Sequence, residues 1–246
     1  MYITTGGLVL RETIYKESSK ILTVLTADSG KLTVNARGAR RRGSTSAAGT
    51  QLFTFSEMTL YEGKGGWTLT ETRSIEQFEG LRTDIEKLSL ASYFAELLET
   101  VSDEDEPSPL LLQLGLNALY ALSENLKEDT LIKTAFELRL MAIAGFSPQT
   151  DFCPACGKTE IKDPYLSMDG FVSCRECLSG SSPSRRLDKA SLDALRYIIS
   201  ADAKRIFSFR LPNDSLELLS DAAETYVRYQ LDKRFYTLDY YKKIKI

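Results

Sequence analysis

The sequence predicts an α+β multidomain protein, in which a small N-terminal β-barrel precedes a helical domain that carries an inserted metal-binding ribbon. Segments rich in β-branched and aromatic residues occupy about the first third of the chain, and helical periodicity begins near Asp84. The four cysteines form two C-x2-C pairs within the helical part. We therefore predict a barrel, a first helical part, a ribbon and a second helical part, over 1–80, 81–150, 151–180 and 181–246.

The N-terminal segment contains five predicted strands. Glycine-rich or small-residue segments separate them, and they span 6–15, 20–27, 31–37, 52–61 and 65–74. Five short strands with such breaks suit a small closed barrel, of which the OB-fold is the five-stranded example. In the third strand, Leu32, Val34 and Ala36 alternate with polar residues, which predicts one core face and one polar, basic face.

A cationic segment directly follows the third strand. Its arginines lie among glycines and small residues, and they are Arg37, Arg40, Arg41 and Arg42. We expect a flexible loop whose guanidinium groups bind the phosphates of a nucleic acid. The alternative is a solvated loop that is basic for solubility. Because the segment continues the polar face that begins at Lys31, the pattern favours nucleic-acid binding.

Aromatic residues on the fourth and fifth strands could stack on bases, as in single-strand-binding barrels, or lie in the core. They are Phe53, Phe55, Tyr61 and Trp67. Leu52, Met58 and Leu60 have the opposite phase on the fourth strand, so this strand has apolar residues on both faces or a bulge. Periodicity leaves the choice between the two roles open.

Helical periodicity dominates the rest of the chain. Apolar residues recur at helical spacing over 84–101, 110–126, 129–144, 188–200 and 215–231. The acidic run 102–107 predicts a solvated loop, and 181–184 predicts a linker that leaves the ribbon. For the basic, tyrosine-rich tail from Arg228 the alternatives are a part in nucleic-acid binding and a final helix with solvated lysines, and the pattern favours the helix.

The cysteines have the spacing of a four-thiolate zinc site, and they are Cys153, Cys156, Cys174 and Cys177. Two residues between thiolates allow a tight turn to direct both sulfurs at one ion, and a second pair completes a tetrahedron. Two disulfides or a redox-active pair are the alternatives, and the polar, uncharged first residues, which show no secretory signal, disfavour the disulfides. Four thiolates leave no open position, so the sequence predicts one structural Zn²⁺ within a hairpin that turns at Asp169 and Gly170.

Composition excludes several classes of enzyme. The chain has no histidine, which removes Ser-His-Asp triads, Cys-His dyads and mixed Cys/His zinc sites. The formal net charge of −3 argues against uniform cationic coating, although local clusters remain. No apolar run approaches the length of a membrane span, so we expect a cytoplasmic protein.

A barrel with Gly7–Arg11, the strand KLTVNAR and the following GARR, then helices and a four-cysteine ribbon, resembles the RecO family of bacterial DNA repair proteins. The resemblance implies an N-terminal OB-fold and a non-enzymatic, nucleoid-associated recombination mediator. Such a protein binds single- and double-stranded DNA and anneals complementary strands. With RecR, it helps to load RecA onto single strands coated by single-stranded DNA-binding protein (SSB), whose C-terminal tail it contacts. By resemblance, the phosphate-binding positions are Lys31, Arg37, Arg40, Arg41 and Arg42, and the cysteines form the family's metal site.

Two other functions compete with DNA mediation. A zinc-ribbon adaptor would join proteins without intrinsic annealing activity. An enzyme that uses carboxylates, such as a nuclease, lacks a recognisable constellation, because Glu57, Glu71 and Glu76 are scattered along the strands. We therefore expect no catalytic residues.

Overall fold

The computed structural model describes residues 1–178, 180 and 182–245, in two compact units. The first unit comprises Met1–Glu124 and the C-terminal segment from Tyr236 onward, and the second comprises Asn125–Phe235. The boundaries of the four predicted segments stay a prediction. Ser181, in the predicted linker, lies outside the described residues.

The first unit contains the predicted five-stranded OB-fold barrel. Its strands are β1 (Tyr2–Tyr15), β2 (Ser19–Thr26), β3 (Lys31–Ala36), β4 (Phe55–Gly63) and β5 (Gly66–Glu76). They close in the order β1-β2-β3-β5-β4, with β4 pairing back to β1. The β3–β5 pair is parallel and the other pairs are antiparallel. This topology confirms the predicted fold class.

The barrel interior is filled by alternate residues of the strands. Leu32, Val34 and Ala36 lie in this core, as their alternation predicts. On β4 the core face carries Met58 and Leu60, whereas Phe55 and Tyr61 alternate with them and lie on the opposite face. β4 therefore has apolar residues on both faces, and the extra residues at its two register shifts with β5 belong to β5.

Three helices complete the first unit, and they are α1 (Ile85–Val101), α2 (Pro109–Ser123) and α6 (Tyr236–Ile244). Asp84 caps α1 by accepting hydrogen bonds from two backbone N–H groups of its first turn, which explains why helical structure begins there. Gly115 allows α2 to approach α1 and β1 closely. A Cβ at this position would lie 2.8 Å from Leu98 Cδ1 and 3.4 Å from Leu8 Cδ2.

The second unit combines helices with the ribbon. The helices are α3 (Asp129–Ile143), α4 (Lys189–Ser200) and α5 (Asn213–Gln230), and the ribbon strands are β6 (Pro164–Ser167), β7 (Val172–Cys174) and β8 (Ser184–Arg186). The ribbon order is β7-β6-β8. The predicted hairpin turn is present, since Gly170 has φ +89° and its N–H donates to the Ser167 carbonyl. None of the described helices is long and apolar enough to cross a membrane.

A buried ion-pair network joins α3 to α5. Lys133 Nζ lies 2.9 Å from Glu137 Oε1 and 3.3 Å from Glu224 Oε2. The Lys133 side chain is only 5% exposed and that of Glu137 is fully buried. Buried charges require such pairing, so this network makes α3 and α5 interdependent.

The ribbon is attached to α5 through polar contacts. Gln230 Nε2 donates to the Met168 carbonyl at 2.7 Å, and Arg185 Nε lies 2.8 Å from Asp221 Oδ2. The ring of Tyr226 is buried, and burial raises the pKa of its hydroxyl to about 12. A folded ribbon therefore provides part of the surface against which α5 packs.

The acidic run 102–107 packs against the β2–β3 turn through backbone hydrogen bonds. Lys31 N–H donates to the Asp103 carbonyl at 3.0 Å, and Ser108 N–H donates to the Ala27 carbonyl at 2.9 Å. The side chains of 103–107 are exposed, as expected of a solvated loop, but the backbone is held in place. Gly30 is necessary for this approach, because it has φ +58° and a Cβ there would lie 2.3 Å from the Glu106 carbonyl oxygen.

We expect Gly30→Ala to lower the free energy of unfolding by about 2 kcal/mol or more, because it combines a left-handed backbone with a steric clash. Chemical denaturation measures the change. Gly65→Ala is the matched control, since a Cβ at Gly65 would meet no atom within 4 Å. Equal stability of the two variants would contradict the tight contact at Gly30.

Candidate nucleic-acid surface and metal centre

The cationic segment between β3 and β4 is folded into consecutive turns. Backbone N–H groups donate to the carbonyl three residues earlier at Arg41, Ser44, Ala47, Gln51 and Thr54. Gly38 (φ +69°) and Gly43 (φ +77°) supply the left-handed conformations that these turns use. Successive local hydrogen bonds therefore define the backbone of this segment as a series of turns, and its predicted flexibility stays a prediction.

Arg40 attaches the cationic segment to the β1–β2 turn. Its backbone N–H donates to the Ser18 carbonyl at 3.0 Å, and its Nη1 donates to the Glu17 carbonyl at 3.1 Å. Gly38 N–H also donates to Ser19 Oγ at 3.3 Å. Arg40 therefore has a structural role in addition to its positive charge.

The other three arginines have free guanidinium groups. Arg37, Arg41 and Arg42 are exposed, and within the described part of the chain no side chain or carbonyl pairs with them. Three unpaired guanidinium groups on a folded backbone suit phosphate binding, because the segment would lose little conformational entropy when a phosphate binds. The structure thus brings Arg37, Arg40, Arg41 and Arg42 together at one end of β3.

Lys31 lies at the other end of β3, about 20 Å from Arg37 along an extended strand. Its Nζ donates to the Glu99 carbonyl at 2.8 Å, near the C-terminus of α1, where the helix dipole favours a cation. The exposed acidic residues 103–106 are adjacent. The structure therefore separates Lys31 from the four arginines, and its predicted contact with DNA stays a prediction.

Three of the four aromatic candidates for base stacking are buried or partly buried. Phe53 is 2% exposed, Trp67 packs against the core, and the Phe55 ring occupies the space beside Gly6. Tyr61 is exposed, and its ring centroid lies 4.9 Å from that of Tyr2. Burial thus favours a packing role for three of the four.

The four cysteines converge as their spacing predicts. Their sulfur atoms all lie within 4.8 Å of one another. A tetrahedral zinc ion with 2.3 Å bonds requires sulfur separations of about 3.8 Å, so small movements would complete the site. Gly157, directly after the first pair, has φ +72°, and its N–H donates to the Cys153 carbonyl at 2.8 Å. The set of donors fits a closed, structural metal site.

The pKa values of the cysteine thiols favour the binding of a cation by the cluster. Burial raises the pKa of the Cys153 thiol, but backbone hydrogen bonds from Cys174, Cys156 and Ala155 oppose this and bring the pKa down to about 6. The hydrogen bond with the Cys156 side chain, followed by burial, raises the pKa of Cys177 to about 12, and burial raises that of Cys174. One thiolate forms readily, and further ionisation needs a positive ion to neutralise the crowded sulfurs.

We expect zinc affinity to rise steeply with pH. At pH 8 Cys153 is a thiolate, whereas Cys174 and Cys177 retain protons that the metal must displace. Displacement of at least two protons predicts about a 100-fold increase in the association constant per pH unit between pH 7 and 8. Competition with a chelator of known pH dependence measures this slope. An increase of less than tenfold would contradict the protonation states.

The β1–β2 hairpin was not among the predicted site features. β1 continues to Tyr15, and residues 11–17 are exposed, including two large apolar side chains, Ile14 and Tyr15. An apolar pair beside the charged Lys16 and Glu17, at the end of the strand predicted over 6–15, was the available signal.

The described residues define a protein that combines an OB-fold barrel, a folded cationic segment and a helical unit with a four-cysteine ribbon. The family model for the recombination protein O N-terminal region matches residues 1–78, and the model for its C-terminal region matches 82–239. The chain therefore belongs to the RecO family.

Full-length relatives agree with this assignment. The chain is 33% identical to the DNA repair protein RecO of Acetivibrio thermocellus over 99% of its own length and 97% of the relative. It is 32% identical to the DNA repair protein RecO of Alkaliphilus metalliredigens, over 99% of its own length and the whole of that relative. The similarity thus includes both the barrel and the helical part.

Proposed function

We propose that this protein is a recombination mediator in DNA repair that binds single- and double-stranded DNA and anneals complementary strands. The observation that carries the proposal is the set of unpaired arginines on the folded segment after β3 of an OB-fold barrel. The names of the relatives, DNA repair protein RecO, support the same function.

The proposed mechanism uses electrostatics and proximity. Arginines that hold a strand by its phosphates leave the base edges free to pair with a second strand. Stacking and pairing in the new duplex supply the driving force, so annealing requires no hydrolysis and no catalytic residue. Weak dependence on sequence follows, since phosphates are common to all sequences.

The proposed partners are RecR, RecA and the SSB C-terminal tail, at a cytoplasmic, nucleoid-associated location. With RecR, the protein would help RecA to replace SSB on single-stranded gaps. The proposed cofactor is one structural Zn²⁺ held by Cys153, Cys156, Cys174 and Cys177. The ion would stabilise the ribbon and through it the surface next to α5, and would take no part in DNA contact.

Annealing of complementary strands coated with SSB tests the proposal. We expect the protein to accelerate annealing, to form a complex with RecR and to leave the DNA uncut in magnesium. If the protein does not anneal strands but still forms a complex with RecR at salt concentrations that abolish DNA binding, it is instead a protein adaptor. Magnesium-dependent cleavage that co-purifies with the protein would indicate a nuclease.

A further inference from the structure

The β1–β2 hairpin presents an aromatic ring beside the cationic segment. The strands remain paired up to Tyr15 opposite Ser19. Ile14 is 67% exposed and Tyr15 is 43% exposed, so the tip carries apolar surface that the first unit does not bury. Lys16, at the turn with φ +56°, places its Nζ 5.2 Å from the centroid of the Tyr15 ring.

Strand register places Tyr15 on the outer face of the barrel, and the alternation of β3 carried one residue past its end would place Arg37 on the same face. Ile14 pairs with Lys20, and Lys20 pairs with Ala36, which belongs to the barrel core. Residues paired across neighbouring strands share a face, and successive residues alternate. Tyr15, Ser19 and the position after Ala36 therefore form a row on the outer face of the barrel.

This row forms a shallow site with different chemistry at its two ends. Neighbouring strands are about 4.8 Å apart, so the end of β1 at Tyr15 lies about 10 Å from the end of β3, where Arg37 follows, with Ser19 on the strand between them. An aromatic ring at one end and a guanidinium at the other suit a base and a phosphate, respectively. In OB-folds, the face of the second and third strands and the loop before the second strand are the places where oligonucleotides bind.

The ring is held in a fixed position relative to the arginines. Arg40 bonds through its backbone to Ser18 and through its side chain to Glu17, on the turn directly after Tyr15 and Lys16. The hairpin and the cationic segment thus form one folded surface. Binding of a nucleotide there would therefore cost little free energy for ordering the protein.

We propose that Tyr15 stacks on an unpaired base of single-stranded DNA whose phosphates bind Arg37, Arg41 and Arg42. The inference rests on the proposed function and adds to it a basis for preferring single strands. A duplex can satisfy the arginines through its phosphates, but its bases are already stacked on one another and leave no free face for the ring. Tyr15 is therefore a specificity-determining residue.

Equilibrium binding of a 30-nucleotide poly-dT and a duplex of equal length tests the inference, with Tyr15→Ala, Tyr15→Phe and the control Tyr120→Ala. Tyr120 is a similarly exposed tyrosine on α2. Loss of one stacked base predicts about a tenfold weaker affinity of Tyr15→Ala for the single strand. We expect its salt slope and duplex affinity to match the wild type, and Tyr15→Phe and Tyr120→Ala to bind both ligands normally.

Several results would overturn the inference. An unchanged single-strand affinity of Tyr15→Ala would do so, as would an equal loss for single strand and duplex. If Tyr15→Ala does not fold, photo-crosslinking of wild-type protein to 5-iodouracil DNA replaces it, with Tyr15 as the expected crosslinked residue and exclusive crosslinking elsewhere as the contradiction. Wild-type protein that binds no DNA would remove the proposed function itself, whereas arginine-dependent binding without a Tyr15 effect removes this inference alone.

Discussion

Replacement of Arg40, Arg41 and Arg42 by alanine is expected to lower the affinity for single-stranded DNA about 100-fold at 50 mM salt. Each lost phosphate contact removes about 0.7 from the slope of log K against log salt, so the slope should fall by about 2. Fluorescence anisotropy at several salt concentrations gives both quantities. Because phosphates carry no sequence information, the loss should be equal for unrelated sequences.

Two variants separate charge from structure in this experiment. The double variant of Arg41 and Arg42 retains the Arg40 bond to Glu17, and two thirds of the slope change should persist. The triple alanine variant of Lys204, Arg205 and Arg210 removes the same charge from exposed positions in the second unit. An equal loss of affinity in this control would mean that net charge, and not the cationic segment, controls binding.

Cys153→Ser is expected to abolish zinc binding and to lower the melting temperature by about 10 °C or more. Cys153 is fully buried in the cluster, so its loss both opens the coordination sphere and leaves a hydroxyl among sulfurs. Zinc analysis of purified protein and a thermal scan measure the two effects. Glu160→Ser, an exposed change in the same loop, should retain one zinc ion and the wild-type melting temperature.

The same variant distinguishes a structural metal from a functional one. Below its melting transition, Cys153→Ser should bind single-stranded DNA within about twofold of the wild type, because the proposed contacts lie on the barrel. Equal zinc content in both proteins would reject the four-cysteine site. A large loss of DNA affinity in a folded variant would assign the ribbon a direct part in binding.

The sequence predicted the features that depend on local patterns. β-Branched segments identified the five strands, and C-x2-C spacing identified the cysteine cluster, because both follow from residues that are close in sequence. The change to helical periodicity likewise marked the start of α1 near Asp84, where the structure then shows a capping side chain. These signals need no knowledge of tertiary contacts.

Other features depend on distant residues and could not be predicted. Lys31 begins the strand that leads to the arginines, yet its ammonium group donates a hydrogen bond to the Glu99 carbonyl near the C-terminus of α1. Lys133 and Glu137 have the spacing of an ordinary surface pair, but Glu224 from α5 covers them. Such outcomes arise from packing between elements, which periodicity does not describe.

The surroundings of the hairpin tip at Tyr15 are a further example. The end of β1 at Tyr15 agrees with the strand predicted over 6–15, and Lys20 Nζ lies 2.7 Å from Glu12 Oε2 across the paired strands. The neighbours of the tip do not follow from the pattern, because Arg40 reaches Ser18 and Glu17 only after the chain has passed through β2 and β3.

The most direct test of phosphate binding by the barrel is the salt dependence of wild-type affinity for two single strands of unrelated sequence. Four arginine contacts predict a slope of about −3 for both ligands, with equal affinities at every salt concentration. Affinity that does not change between 50 and 200 mM salt, or that differs strongly between the two sequences, would contradict binding through the backbone.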